Sequence, residues 1–168
     1  MSRINRSIAA ATCALLLIAA GCDRGQRSLP IDRPAPAFSL QDGAQTVSLA
    51  SLRGNVVILH LWATWCAPCV GELPSLNDLA GSLPPHTVLL GVAADTDTTA
   101  YANFIASHPL SFRSVVNPTD SVAQSYGTAA FPETYLIDKH GIIRRKLVGP
   151  QNWSSPAMQQ SLVRLAAE

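Results

Sequence analysis

Residues 55–69 read NVVILHLWATWCAPC and join an apolar segment to a pair of cysteines. The run over residues 55–61 is mostly apolar and rich in β-branched side chains, which is typical of a strand buried on both faces. Beyond the cysteines, apolar residues recur at helical spacing over residues 70–83. Cys66 and Cys69 are therefore predicted to lie at the junction between a central strand and a helix.

This junction makes the two cysteines chemically unequal. The first turn of a helix carries unpaired N–H groups and the positive end of the helix dipole, and both favour an anion. We expect Cys66 to ionise below the free-thiol pKa of about 8.5 and to act as the attacking thiolate. Cys69 lies one turn farther along, where burial should keep it protonated until it attacks the mixed disulfide between Cys66 and a substrate.

Two other interpretations of the cysteine pair are a structural disulfide and half of a zinc site. A disulfide that closes so short a loop stabilises a fold by only about 2 kcal/mol in the chain-entropy model. A zinc site needs four ligands, and the sequence offers no second Cys/His pair at ligand spacing. Redox chemistry is the favoured interpretation, with no metal ion and no cofactor expected.

The N-terminus has the pattern of an export signal. Arg3 and Arg6 precede an apolar run over residues 8–20, which is shorter than the roughly 20 residues of a membrane-spanning helix. The run ends in small residues before Cys22, as in a bacterial lipobox. We expect residues 1–21 to be a lipoprotein signal peptide and Cys22 to be lipidated; an ordinary cleaved signal or a short anchor is the alternative.

The rest of the chain is predicted to form one tethered domain outside the cytoplasm. Residues 22–36 contain glycine and prolines among polar groups and predict a flexible tether, and residues 37–168 predict a single domain. Asp23 resembles the inner-membrane retention signal of some Gram-negative lipoproteins, which favours the periplasmic face of the inner membrane. Without the signal, ten basic and eleven acidic residues remain, so a nucleic acid is not an expected partner.

Strands and helices are expected to alternate along the domain. Pro74 predicts a kink in the helix after the dithiol. Strands are expected over residues 38–40, 47–49, 87–94, 112–116, 133–137 and 142–148, and further helices over residues 98–107, 121–126 and 154–167. This order mixes crossovers with hairpins, so it predicts an α/β fold in which helices cover both faces of a mixed sheet.

Three motifs resemble the TlpA/ResA/DsbE group of thioredoxin-like thiol-disulfide oxidoreductases. They are WATWCAPC, the GELP that follows it at residues 71–74, and FPETYLID at residues 131–138. The resemblance runs from about Pro34 to the C-terminus. It implies a thioredoxin fold with an extra N-terminal β-hairpin at residues 38–49 and a central insertion at about residues 95–118.

The same resemblance implies a function and its partners. Members of the group typically reduce protein disulfides outside the cytoplasm, often in apocytochromes c. They receive electrons from a membrane partner of the DsbD/CcdA type. Cytochrome c maturation, or a related task, is the function that the resemblance implies for this chain.

The resemblance also implies roles for residues around the dithiol. Pro132 matches the cis-proline beside the dithiol, which leaves the backbone of Phe131 free to pair with an extended substrate; a trans-proline opening a strand is the alternative. Glu72 matches a proton acceptor for Cys69 or a residue that tunes the site. The alternative for Glu72 is an acid that the helix N-terminus merely favours.

His60 is the least usual residue of the motif region. It lies six residues before Cys66, where thioredoxins carry a buried Asp and this group often carries Asn. A neutral buried imidazole could relay a proton to Cys69 near pH 7; a core histidine bonded to backbone is an equal alternative. Trp62, Trp65 and Pro68 are interpreted as packing and rim residues of the site.

Two other function classes are weighed against the reductase. A copper-handling thioredoxin-fold lipoprotein would resemble proteins with CxxxC and a distant histidine, whereas this spacing is CxxC. A non-catalytic binding module is disfavoured because Cys66, Cys69 and Pro132 are all present. Peroxidase activity is disfavoured because the chain has no Thr-x-x-Cys motif.

Overall fold

The computed structural model describes residues 29–167. The predicted signal peptide, Cys22 and the first part of the predicted tether lie outside this range. Within it, no helix combines the length and the apolar character that a membrane crossing requires.

In residues 29–167, eight strands form a six-stranded sheet and a separate hairpin. The strands are β1 (Arg33–Pro34), β2 (Ser39–Asp42), β3 (Gln45–Ser48), β4 (Val56–Trp62), β5 (Thr87–Ala93), β6 (Arg113–Val116), β7 (Glu133–Ile137) and β8 (Ile142–Val148). The large sheet has the order β1-β8-β7-β4-β5-β6, and β2 pairs only with β3. Strands β4, β5 and β6 are parallel, whereas β7 runs antiparallel to β4 and to β8, and β1 runs antiparallel to β8. The predicted mixed sheet is confirmed.

The same part of the chain contains four α-helices and a short 3-10 helix at Ala50–Leu52. The α-helices are α1 (Ala67–Ala80), α2 (Thr98–Ser107), α3 (Ser121–Ser125) and α4 (Pro156–Ala167). Side chains of α1, α2 and α4 pack on one face of the sheet, and those of α3 and the β2–β3 hairpin pack on the other. Both faces are therefore covered, as predicted.

Strand β4 is the centre of the sheet and leads directly into the dithiol. All seven of its residues are buried, and its neighbours are β5 on one side and β7 on the other. Its apolar sequence follows from this position, since a strand covered on both faces has no solvent-facing side chains. His60 is the only polar residue in β4, so its presence there needs a specific partner.

The predicted boundary between tether and domain at residue 37 is wrong by a few residues. Arg33 and Pro34 form the edge strand β1 against β8. On either side of them, Asp32 N donates to Ile143 O at 2.7 Å and Ala35 N donates to Gly141 O at 2.9 Å. The end of the proline-rich stretch therefore belongs to the sheet, because an edge strand tolerates a residue without an N–H.

Helix α1 begins three residues earlier than its apolar periodicity predicts. Cys66 is its N-cap, so the first turn contains Pro68 and Cys69. Pro74 lies inside the helix, which continues through it to Ala80. The apolar pattern could not reveal the first turn, because that turn is defined by the cap and by Pro68 near its start.

Candidate active site

Cys66 and Cys69 form a disulfide at the N-terminus of α1, with their Cα atoms 5.2 Å apart. The sulfur of Cys66 accepts a hydrogen bond from the backbone N–H of Cys69 at 3.3 Å. Cys66 is 6% exposed and Cys69 is fully buried. The two sulfurs therefore differ in access, with Cys66 on the outer side.

A buried carboxylate holds the loop that precedes the dithiol. Asp95, just after β5, accepts hydrogen bonds from Thr64 N at 3.1 Å and from the Thr64 hydroxyl. Asp95 was not predicted from the sequence. Its position was a usable signal, because β4 and β5 are parallel and their carboxyl ends meet at one edge of the sheet.

The loop before β7 forms the opposite side of the site. The Phe131–Pro132 peptide bond is cis, as the resemblance implied, and Pro132 is buried. The ring of Phe131 meets the ring of Trp65 edge to face, with centroids 5.9 Å apart. Trp65 is 68% exposed, so the two aromatic side chains form an accessible apolar rim.

A cavity of about 630 Å³ opens beside the disulfide. One wall contains Trp65, Cys66 and Pro68, and the other contains Asp120 and Phe131. Partial burial raises the pKa of the Asp120 carboxyl. Asp120 was not predicted from the sequence, because nothing in its local pattern connects it to the dithiol. Cys66 is therefore reached from the surface through this cavity.

Trp62 lies in the core and away from this cavity. It is fully buried, and its ring packs against Tyr101 and Phe104. Its indole N–H donates to the hydroxyl of Ser114 at 3.1 Å. Of the predicted packing and rim residues, Trp62 is therefore a packing residue, and Trp65 and Pro68 are rim residues.

His60 on β4 and Glu72 on α1 lie side by side. Both are buried, and His60 Nε2 is 3.3 Å from Glu72 Oε1. The other ring nitrogen, Nδ1, is 2.9 Å from the hydroxyl of Thr134 on β7. Both ring nitrogens of His60 thus face side chains, which differs from a core histidine bonded to backbone.

Burial shifts both pKa values in opposite directions. It lowers the pKa of His60 from 6.5 to about 3 and raises the pKa of Glu72 from 4.5 to about 7. Hydrogen bonding from the Gln151 backbone N–H, at 2.8 Å from Oε2, and from the Trp153 indole opposes the shift of Glu72. Near neutral pH the imidazole is uncharged, and the carboxyl is close to its midpoint.

The sequence predicted no role for Thr134, Gln151 or Trp153. Thr134 lies opposite His60 in the β4–β7 pairing, so a correct strand pairing would have identified it. Gln151 and Trp153 lie in the loop before α4, and Gln151 reaches Glu72 across 79 positions of sequence. Nothing in the sequence around Glu72 or around Gln151 predicts a contact between them.

The described part of the chain contains no group of three or more His, Cys, Asp or Glu side chains that could hold a metal ion. The site that the structure does bring together consists of the disulfide, the cis-proline loop and the buried pair of His60 and Glu72. Cys66, Cys69 and Glu72 of the first two motifs and Phe131 and Pro132 of the third therefore lie in one region of the fold.

Comparison with known proteins agrees with this arrangement. The model of the AhpC/TSA family matches residues 31–146. The thiol-disulfide oxidoreductase ResA of Bacillus thuringiensis is 30% identical over 128 residues, covering 75% of this chain and 74% of that protein. The thiol:disulfide interchange protein DsbE of Pseudomonas aeruginosa is 36% identical over 123 residues, covering 71% and 67%.

A solved structure extends the likeness to the fold. A protein from Chlorobium tepidum described as a thiol:disulfide interchange protein DsbE superposes with a TM-score of 0.77 at 28% identity. The match covers 83% of this chain and 99% of that one. The chain therefore belongs to the AhpC/TSA family and is a thiol-disulfide oxidoreductase of thioredoxin fold.

Proposed function

We propose that this oxidoreductase reduces protein disulfides outside the cytoplasm, with apocytochrome c as one candidate substrate. The observation that carries the proposal is the asymmetry of the dithiol. Cys66 caps α1 beside an open cavity, whereas Cys69 is fully buried behind it. A helix N-terminus stabilises a thiolate, so reduced Cys66 is the nucleophile and Cys69 the resolving thiol.

The reaction consists of two thiol-disulfide exchanges. The Cys66 thiolate attacks one sulfur of the substrate disulfide, and the other substrate sulfur leaves as a thiolate that takes up a proton. Cys69 then loses its proton and attacks the Cys66 sulfur, so the bond between Cys66 and the substrate breaks and the second substrate sulfur leaves as a thiolate that takes up a proton from solvent. Two electrons have passed to the substrate, and the protein is left with the Cys66–Cys69 disulfide.

The cavity walls suit an extended substrate segment. The exposed ring of Trp65 and the half-buried ring of Phe131 offer apolar contact next to Cys66. Such a surface favours a chain segment that presents its cysteine beside apolar residues, with backbone pairing along the loop at Phe131. Glu72 is proposed to accept the proton that Cys69 loses.

The proposed location and electron source rest on the sequence. The signal peptide over residues 1–21 and a lipidated Cys22 would attach the domain to the membrane, on the periplasmic face of the inner membrane. More than one acyl chain would be needed for stable attachment. A membrane partner of the DsbD/CcdA type would then return the site to the dithiol state after each turnover.

The direction of transfer is tested by the reduction potential of the Cys66–Cys69 pair. Equilibration with glutathione or thioredoxin is expected to give a value nearer that of thioredoxin, about −270 mV, than that of the oxidant DsbA, about −120 mV. A value near −120 mV would overturn the reductase proposal. Replacing Cys69 with Ser should trap a mixed disulfide with a substrate peptide, whereas replacing Cys66 with Ser should trap none.

A further inference from the structure

His60 Nε2 and Glu72 Oε1 are buried beneath the dithiol, and neither atom has a well-aligned hydrogen bond among the described residues. The two atoms are nevertheless only 3.3 Å apart. A buried nitrogen and a buried carboxyl oxygen at this distance are stabilised when one proton lies between them, because otherwise two lone pairs face each other inside the core.

Among the described residues, no charged side chain acts on the pair to favour separate ions. The pair is enclosed by β4, by α1 with Cys69, by Thr134 of β7, and by the loop that carries Gln151 and Trp153. The causes of the pKa shift of Glu72 include no charged neighbour. The Glu133–Lys146 ion pair, 2.9 Å long, belongs to the opposite face, since Glu133 alternates with Thr134 along β7.

We propose that His60 and Glu72 share a single proton between Nε2 and Oε1, and that His60 is the positioning residue that holds the Glu72 carboxyl for exchange with Cys69. In the protonated pair, Oε1–H donates to Nε2, and Nδ1–H donates to the Thr134 hydroxyl. When the pair loses one proton, Nε2–H donates to the carboxylate and the Thr134 hydroxyl donates to Nδ1. The imidazole thereby changes tautomer while remaining neutral.

The link to catalysis rests on the proposed function. When Cys69 attacks the mixed disulfide, its proton moves to the Glu72 carboxylate of the deprotonated pair, and Glu72 returns it when Cys69 is reduced again. The His60 tautomer then readjusts by a separate exchange, in which Nδ1 takes up a proton by way of the Thr134 hydroxyl and the carboxyl gives one proton up, so the proton count of the pair is unchanged. Cys69 and Glu72 are both buried and lie one turn apart on α1, so a proton that passes between them need not enter bulk water.

Nuclear magnetic resonance of the oxidised protein tests the pair without requiring turnover. Histidine labelled with 15N reports the tautomer of His60, and 13C in the Glu72 carboxyl reports its ionisation between pH 5 and 9. We expect the two signals to change with one common midpoint and His60 to stay neutral. A His60 tautomer that stays fixed while Glu72 titrates, or an imidazolium in this range, would overturn the proposal.

Variants test the positioning role. His60→Asn should move the pH midpoint of the step in which Cys69 resolves a mixed disulfide by about one unit, a tenfold change in proton affinity. His86→Asn is the matched control, since His86 is exposed and its positive φ of 56° suits Asn. An unmoved midpoint in His60→Asn would contradict the role.

A second variant keeps the proposal testable if His60→Asn does not fold. Thr134→Val keeps the branched shape and removes only the partner of Nδ1, so the His60 tautomer should lose its pH dependence. An unchanged tautomer titration in Thr134→Val would overturn the proposal. If wild-type protein failed to reduce disulfides, the proposed function would be wrong. The magnetic resonance result would still decide whether His60 and Glu72 share a proton.

Discussion

The buried residues His60 and Glu72 oppose each other in the pH dependence of folding stability. Glu72 has a pKa of about 7 when folded against an ordinary 4.5, so between these values the folded protein keeps a proton that the unfolded chain loses. Stability then falls as pH rises. His60 has a pKa of about 3 when folded against 6.5, so between these values the unfolded chain holds the extra proton and stability rises with pH.

Single replacements should separate the two effects. In the wild-type protein, the contributions of Glu72 and His60 to the pH dependence of stability cancel between about pH 4.5 and 6.5. His60→Asn leaves the effect of Glu72, so its stability should fall as pH rises from 4.5 to 7. Glu72→Gln leaves the effect of His60, so its stability should rise from pH 3 to 6.5. Each slope approaches about 1.4 kcal/mol per pH unit.

Urea denaturation at a series of pH values measures these slopes. The exposed His86→Asn serves as the control and should follow wild type. If both variants kept the wild-type slope, the two groups would not titrate as their burial requires.

The junction between β4 and α1 is set by contacts from a neighbouring strand. Asp95 follows β5 and accepts hydrogen bonds from the N–H and hydroxyl of Thr64. Cys66 then caps α1 through its sulfur. The start of the helix therefore depends on a residue that is distant in sequence. The contact between Asp95 and Thr64 also fixes the position of the dithiol.

Replacing Asp95 with Ala should destabilise the protein and disturb the dithiol. Two donors of Thr64 would lose their acceptor beside a buried site, at a cost of about 1–3 kcal/mol. Asp78→Ala is the matched control, because Asp78 is exposed on α1. Urea unfolding at pH 7 measures the difference between the two variants. Equal stabilities would show that the contact contributes nothing to the fold.

Elements that carry their own pattern could be predicted from the sequence, and contacts between elements could not. Strand β4 follows from its unbroken apolar run, and Cys66 and Cys69 follow from their position after it. Thr134 and Gln151 reach the site through the strand pairing and a loop, so their roles depend on the assembled fold. The apolar period of α1 begins only at residue 70 and gives no sign of the cap, whereas the position of the dithiol after β4 predicts Cys66 at the start of the helix.

At the scale of the whole molecule, one edge of the sheet is formed by β1, whose residues belong to the segment predicted to be a flexible tether. Strand β1 covers β8, and Asp32 forms an ion pair with Arg144 at 2.8 Å. Arg144 also contacts Asp138 at 2.8 Å. The redox site lies at the end of β4, three strands away from this edge. Edge protection and disulfide chemistry are thus spatially separate.

A chain that begins at residue 37 should therefore be less stable than one that begins at residue 29, while its redox properties should be equal. Loss of β1 removes its backbone hydrogen bonds, at a cost of about 1–3 kcal/mol, and leaves β8 as an open edge that can pair with another molecule. Thermal unfolding and light scattering measure stability and self-association, and glutathione equilibration measures the potential. Equal stability of the two chains would mean that β1 merely lies against the sheet, and a shifted potential would mean that the edge and the dithiol are coupled.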